Sequence, residues 1–236
     1  MAEKKEYLAN LGLKVETIID VIVSVKQEGD LVTKILDLAE RERVSLILLG
    51  SHEKKLIQSL FLDSVSTDVL QQSKTSVLII HCDPIPDQAG TFCEKFCPGL
   101  FSKVLLPTDF SKPADDAATF VKNIKEIKEI ALLHVVTNGE VKDEIENTVR
   151  ESQGKLYEIS KQLTESGFIV TRHVRTGNPT EMILSVGEEE DATLIAMSPR
   201  GKRWFEDLVM GSTAFAVAGS AKRPVLIIRN KNQILT

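Results

Sequence analysis

The residue types best suited to chemistry stand close together near the C-terminus. Ser198-Pro199-Arg200-Gly201 is followed by nine residues and then by Gly211-Ser212-Thr213, which opens a helical pattern. A helix N-terminus has unpaired N–H groups and about half a positive charge. Glycines there let an anion approach the backbone without a Cβ in the way. The hydroxyls of Ser212 and Thr213 add donors, and Arg200, Lys202 and Arg203 add positive charge. Together these make an anion site, of the kind that holds phosphate. Asp109, just after the run KVLLPT, can accept a ribose hydroxyl or hold a metal ion. By spacing alone, Gly201 and Gly211 fit a turn and a helix cap equally well. No P-loop, no G-x-G-x-x-G fingerprint and no G-x-S-x-G elbow occurs.

The elements that must position these residues alternate in type. Lys103 to Pro107 reads as a short buried strand. Ser111 caps a helix with Pro113 in its first turn, where a missing N–H costs nothing. Ile130 to Val136 is a second strand, and Glu140 to Glu165 a long helix with one apolar face. Phe168 to Val174 is a third strand, Asn178-Pro179 opens the next helix, and Ala192 to Met197 is a fourth strand. Ser212 to Ala221 is the last helix and Pro224 to Ile228 the fifth strand. Five aliphatic strands alternating with helices predict an α/β fold, a doubly wound, Rossmann-like five-stranded parallel sheet. In such a sheet ligands bind beyond the carboxyl ends of the strands. The ends of strands one, two and four bring Thr108-Asp109, His134-Val135 and Gly201 around one crevice.

The first half repeats part of this unit. Shifted by about 148 residues, it aligns without gaps from Gly29 to Ile80, an internal duplication rather than chance periodicity. Gly29 falls on Gly177, Leu46-Ile47 on Leu194-Ile195, Ser64 on Ser212 and Val77–Ile80 on Val225–Ile228. The predicted organisation is a degenerate unit over 1–81, a linker over 82–101 and a complete unit over 102–236. The first unit, with helical Lys4–Asn10 and then Val15–Val23, lacks counterparts of KVLLPTDFS and IALLHVV. Either the sequence begins late relative to its parent, or this half leans on the second for its core.

Composition sets the outer bounds. In 236 residues, 42% hydrophobic and 27% charged is the balance of a globular protein. A formal charge of −5 excludes a general nucleic-acid binder. No apolar run reaches the ~18 residues of a membrane span, and MAEKKEYLAN is too charged for a signal peptide, which predicts the cytoplasm. Cys82, Cys93 and Cys97 read as reduced linker thiols, because C-x-x-x-C matches no strong zinc pattern. His52 reads as a surface loop residue, and His134 and His173 as structural strand histidines. The charge runs Ala39–Arg43 and Gly187–Asp191 read as solvated helix ends.

VLLPTDFS, LLHVV, ATLIAMSPRG and MGSTAFAVAGSAKRPVLII together resemble the universal stress protein family. Members that bind ATP carry G-x-x-G, nine residues, then G-S or G-T; here Ser198 replaces the first glycine. The resemblance implies an α/β sandwich binding ATP or AMP, with magnesium as an accompanying ion. It puts Asp109 near the ribose with Pro107 and Thr108 beside it. Val135 would pair with the adenine edge, Met197 and Ser198 would end the fourth strand at the site, and Gly201, Gly211, Ser212 and Thr213 would hold phosphates. Ser198 is expected to crowd the sugar or first phosphate. In the first half the equivalent motif carries Glu53 and Asp63 in place of glycines, and two carboxylates there repel phosphate. That half is expected to bind no nucleotide.

The resemblance also implies that units pair through their last strands, so Val77–Ile80 and Val225–Ile228 should meet as a pseudo-dimer within one chain. Two tandem chains are expected to form a homodimer. The leading functional reading is a nucleotide-binding regulatory module that answers to a protein partner in the stress response. A slow ATPase and a ligand-free dimerisation module are the alternatives; neither nucleic acid nor membrane is an expected partner.

Overall fold

A computed structural model describes residues 30–52, 62–82, 99–137, 142–201 and 210–229. Apart from Asp30 and Leu31, these fall in one of two units, Val32–Thr236. The elements in chain order are α1 (Leu31–Arg41), β1 (Leu46–His52), α2 (Ser64–Gln72), β2 (Ser76–Cys82), β3 (Lys103–Pro107), α3 (Lys112–Lys122), β4 (Glu129–Val136), α4 (Lys142–Glu165), β5 (Ile169–Thr176), α5 (Pro179–Glu189), β6 (Leu194–Met197), α6 (Ser212–Ser220) and β7 (Val225–Ile227). The strands form one mostly parallel sheet of order β1-β2-β7-β6-β3-β4-β5. No described helix is long and apolar enough to cross a membrane.

The helix starts follow from local capping. Ser111 Oγ accepts from Ala114 N with proline in the first turn of α3, as the sequence predicts. Asn178 Oδ1 takes the N–H groups of Thr180 and Glu181 at the start of α5. Gly177, with φ +139°, makes the turn from β5 into that cap, a conformation only glycine adopts without strain.

The sheet is covered on both faces over its centre. One core joins Val69 and Leu70 of α2, Ile183 and Val186 of α5 and Val217 and Ala218 of α6 to Ile79, Leu105, Ile195 and Ile227 of the strands. The opposite core joins Ala117 and Val121 of α3 and Leu156 and Leu163 of α4 to Leu106, Leu132, Ala196 and Leu226. The aliphatic alternation along each strand is what permits two cores, because successive side chains point to opposite faces.

The structure differs from the five-stranded expectation in one respect. The five strands β3 to β7 are parallel as predicted, but they belong to a single sheet of seven. β2 joins β7 antiparallel, with Val77 opposite Ile227, Leu78 opposite Leu226 and Ile79 opposite Val225. Strands without this pairing would leave two rows of unpaired N–H and C=O groups. The meeting of Val77–Ile79 with Val225–Ile227 is the strand pairing expected within one chain. Lys4–Asn10, Val15–Val23 and residues 83–98 of the expected linker lie outside the described residues.

The 148-residue offset recurs in three dimensions. Helix α1 matches α5, and α2 matches α6, residue for residue. β1 pairs with β2 in the register of β6 with β7: Ile47 with Val77 as Ile195 with Val225. Arg43 (φ 50°) and Asp191 (φ 48°) share one left-handed turn.

β1 and β6 differ in their second neighbour. β6 is flanked by β3, with Val104 opposite Leu194. Among the described strands β1 stands at the end of the sheet, and Leu48 is 52% exposed whereas its register partner Leu78 is 3% exposed. Leu48→Lys is expected to change unfolding free energy by no more than about 0.5 kcal/mol. Leu78→Lys, which buries an unpaired charge, should cost more than about 4 kcal/mol in urea titration. Comparable costs for the two would place β1 in the core.

In the run Gly187–Asp191, Glu188, Glu189 and Asp191 are exposed, as expected of a solvated helix end, whereas Gly187 and Glu190 are not. Gly187 is buried against Leu105 and Ile195, with no room to spare beyond van der Waals contact. Glu190 bonds Lys103 Nζ at 2.7 Å and His173 Nε2, tying α5 to β3 and β5. Burial alone would raise its pKa, but hydrogen bonds from Lys103 and His173 outweigh it and hold the carboxyl below its usual range. This also gives His173 the structural role expected of it.

Candidate functional site

Strand order reverses between β6 and β3: the chain runs outward through β3, β4 and β5, then returns to β6 and β7. That topological switch opens a crevice beyond the carboxyl ends of β3, β4 and β6. Each segment of the expected site reaches it from one of these ends or from the start of α6.

From β3 come Pro107, Thr108 and Asp109. Pro107 lies opposite Leu133 in the β3–β4 register, and Thr108 N donates to Leu133 O at 2.8 Å, carrying the pairing one residue past the strand. The chain then turns sharply. Thr108 Oγ1 accepts from Phe110 N (3.0 Å) and Asp109 Oδ1 from Ser111 N (3.1 Å). Phe110 itself has φ +60°, a left-handed conformation rare for a bulky residue. The turn thus uses one carboxylate oxygen of Asp109 internally. The other, Oδ2, lies where a Cβ on Gly201 would have to be. A side chain at 201 would require Asp109 to move.

From β4 come His134 and Val135. His134 Nδ1 and Thr108 O are 2.7 Å apart. A carbonyl oxygen only accepts, so Nδ1 carries the hydrogen. Val135 is half-buried, opposite Arg175 of β5.

From β6 come buried Met197 and Ser198. Ser198 Oγ donates back to Arg200 O at 2.7 Å, closing a small turn on its own loop. The hydroxyl thereby stays within its own loop. Gly211 N donates to Pro199 O at 2.7 Å, which ties the loop to the start of α6. Helix α6 has no side-chain cap, because Gly211 has no side chain to offer, and Ser212 and Thr213 form its first turn. The start of this helix carries the positive end of its dipole.

Positive charge gathers at the same ends. Arg200 lies in the loop. Arg229, just past β7, donates through Nη2 to Leu70 O (2.7 Å), and burial together with the Arg200 charge pulls its pKa down to about 10. Lys202 and Arg203 lie outside the described residues. Among the described residues, no three His, Cys, Asp or Glu side chains gather to hold a metal ion.

The equivalent position in the first half is filled from within. Asp63 Oδ1 caps α2 by accepting from Ser66 N at 2.7 Å. Asp63 lies 148 residues before Gly211 and, like it, stands at a helix N-cap. His52, at the end of β1, is placed only by its backbone pairing with Cys82, and Glu53, Cys93 and Cys97 lie outside the described residues.

Sequence reasoning overlooked three side chains around the Asp109 turn or the loop: Phe110, Lys155 and Arg229. No spacing rule marks them. The left-handed Phe110 is visible only in the backbone, and Lys155 reaches it from a helix 45 residues on.

Comparison with known proteins agrees with this architecture. The model of the universal stress protein family matches residues 2–81 and 100–229. A universal stress protein of Methanocaldococcus jannaschii is 31% identical over 158 residues, covering 56% of this chain and 98% of that one. A second from the same organism is 30% identical over 141 residues, covering 55% of this chain and 83% of its own length. The crystal structure of a universal stress protein from Archaeoglobus fulgidus superposes with a TM-score of 0.61 at 28% identity, covering 98% of this chain and 78% of that one. With its fold, its strand-end motifs and two matched stretches in agreement, this chain belongs to the universal stress protein family.

Proposed function

We propose that this protein binds one adenine nucleotide per chain, ATP or AMP, in the crevice of residues 102–236, and acts as a cytoplasmic regulatory module of the stress response. The observation that carries the reading is the meeting of Asp109, Gly201 and the uncapped start of α6 at the switch point of the sheet. A carboxylate oxygen beside a glycine suits a ribose hydroxyl. Open N–H groups with Arg200 nearby suit phosphates. Pro107, Thr108, Val135, Met197, Ser198, Ser212 and Thr213 would line the same pocket.

Residues 1–81 are read as a degenerate tandem unit that binds no nucleotide and pairs with the second through β2 and β7. The recurrence of helices and register at a constant offset supports this. Joining the two units in one chain would raise their effective concentration to the millimolar range. Nucleotide would then bias an equilibrium that a partner reads.

Calorimetry with ATP and AMP, with and without magnesium, tests the reading. One site per chain is expected. Two sites would mean that Asp63 does not exclude phosphate, and none would leave a ligand-free dimerisation module.

A further inference from the structure

The turn that carries Asp109 is held by side chains from β4 and α4 as well as by its own. His134 Nδ1–H donates to Thr108 O from β4. Its ring lies against Phe110, with centroids 4.3 Å apart and planes tilted by 30°. Lys155 Nζ of α4 lies 5.5 Å from the centroid of the Phe110 ring, within cation–π range. Phe110 needs such support, because its φ of +60° is a strained conformation for a residue with a large Cβ substituent. Strain of this kind persists only where the surroundings over-determine it.

We infer that His134, Phe110 and Lys155 form a latch that fixes the Thr108–Ser111 turn and so positions Asp109 Oδ2 at Gly201 before any ligand arrives. The inference rests on the nucleotide-binding reading and adds positioning residues to it. Each part of the latch acts on a different point. His134 fixes the carbonyl that precedes Asp109, the Phe110 ring fixes the residue that follows it, and Lys155 holds the ring from α4. Between these two points Asp109 has little freedom left. One oxygen is committed to Ser111 N, and the other must point across to the Gly201 loop. A carboxylate fixed in advance loses less freedom when it accepts a hydrogen bond, which is the source of preorganised affinity. The ligand group that would profit is a vicinal sugar diol rather than the base or the phosphates.

The test pairs a change in the protein with a change in the ligand. Wild-type protein should bind ATP more tightly than 2′,3′-dideoxy-ATP, which lacks both ribose hydroxyls. His134→Ala should weaken ATP about 10-fold while leaving dideoxy-ATP nearly unchanged, so the two changes couple. Phe110→Ala should do the same, and Phe110→Tyr, which keeps the ring, should bind both ligands as wild type does. Amide exchange of Asp109 to Ser111 in ligand-free protein should speed in both alanine variants, with the exchange of β3 and β6 unaltered. Equal weakening of both ligands, or turn exchange unchanged from wild type, would overturn the latch. Should wild type bind neither ligand, the nucleotide reading falls alone, and the exchange rates still decide whether the latch exists.

Discussion

Asp109→Ala should weaken ATP and AMP by about 10- to 100-fold while the protein remains folded, the range of one lost hydrogen bond to a charged group. The two oxygens of this carboxylate do different things, which makes the result separable. Oδ1 accepts from Ser111 N and shapes the turn, whereas Oδ2 faces the Gly201 loop. Asp109→Asn keeps an oxygen for the turn and removes the charge. If the charge at Oδ2 matters to the ribose, asparagine should lose most of the affinity with little change in thermal unfolding. If the turn alone matters, asparagine should bind like wild type. Isothermal titration of the three proteins against AMP, with melting curves alongside, separates these cases. An alanine variant that binds at wild-type strength would remove Asp109 from the site.

Gly211→Asp should abolish nucleotide binding and slightly stabilise the protein. The two effects have one cause. Gly211 caps α6 with extended backbone (φ −78°, ψ 153°), a conformation open to any residue. Its counterpart Asp63 shows what a carboxylate does there, accepting from Ser66 N at 2.7 Å. Aspartate in place of glycine at a helix start is worth a few tenths of a kcal/mol. Part of that gain is lost, because a Cβ would come 3.3 Å from Pro199 O and the loop must give slightly. The same carboxylate then meets the phosphates. At ~4 Å and an effective dielectric near 20, one pair of like charges costs about 4 kcal/mol, enough to reduce affinity roughly 1,000-fold. Gly211→Asn is the control, because it caps without charge and should retain far more ATP binding than aspartate. Equal losses in both variants would assign the effect to bulk beside Pro199 rather than to charge.

Much of the local structure is legible in the sequence because it is set by neighbouring residues. Ser111 and Asn178 announce their helices by side chains that bond the next backbone groups. The aliphatic runs around Leu105, Leu132, Ile195 and Leu226 announce strands buried on both faces. The offset that relates Ile47 to Ile195 and Ser64 to Ser212 is visible as text and returns as matching register. The replacement of Gly211 by Asp63 in the first copy is likewise a statement about charge that needs no coordinates.

Other features depend on residues far apart in the chain meeting, and no local pattern encodes that. The Ser198 hydroxyl bonds Arg200 O, a partner that no spacing rule names, because loop geometry decides where a short side chain turns. Glu190 was read as solvated, yet Lys103 and His173 reach it from two other strands and make its partial burial affordable. Phe110 takes a left-handed conformation held by a histidine 24 residues on and a lysine on another helix. The sequence by itself determined the strands, the helix caps and the nearness of Asp109 and Gly201 to strand ends, since each follows from spacing and short-range bonding. Only the tertiary structure decided that both halves share one sheet through β2 and β7 and that the Asp109 turn is latched, since both rest on contacts whose partners are brought together by packing alone.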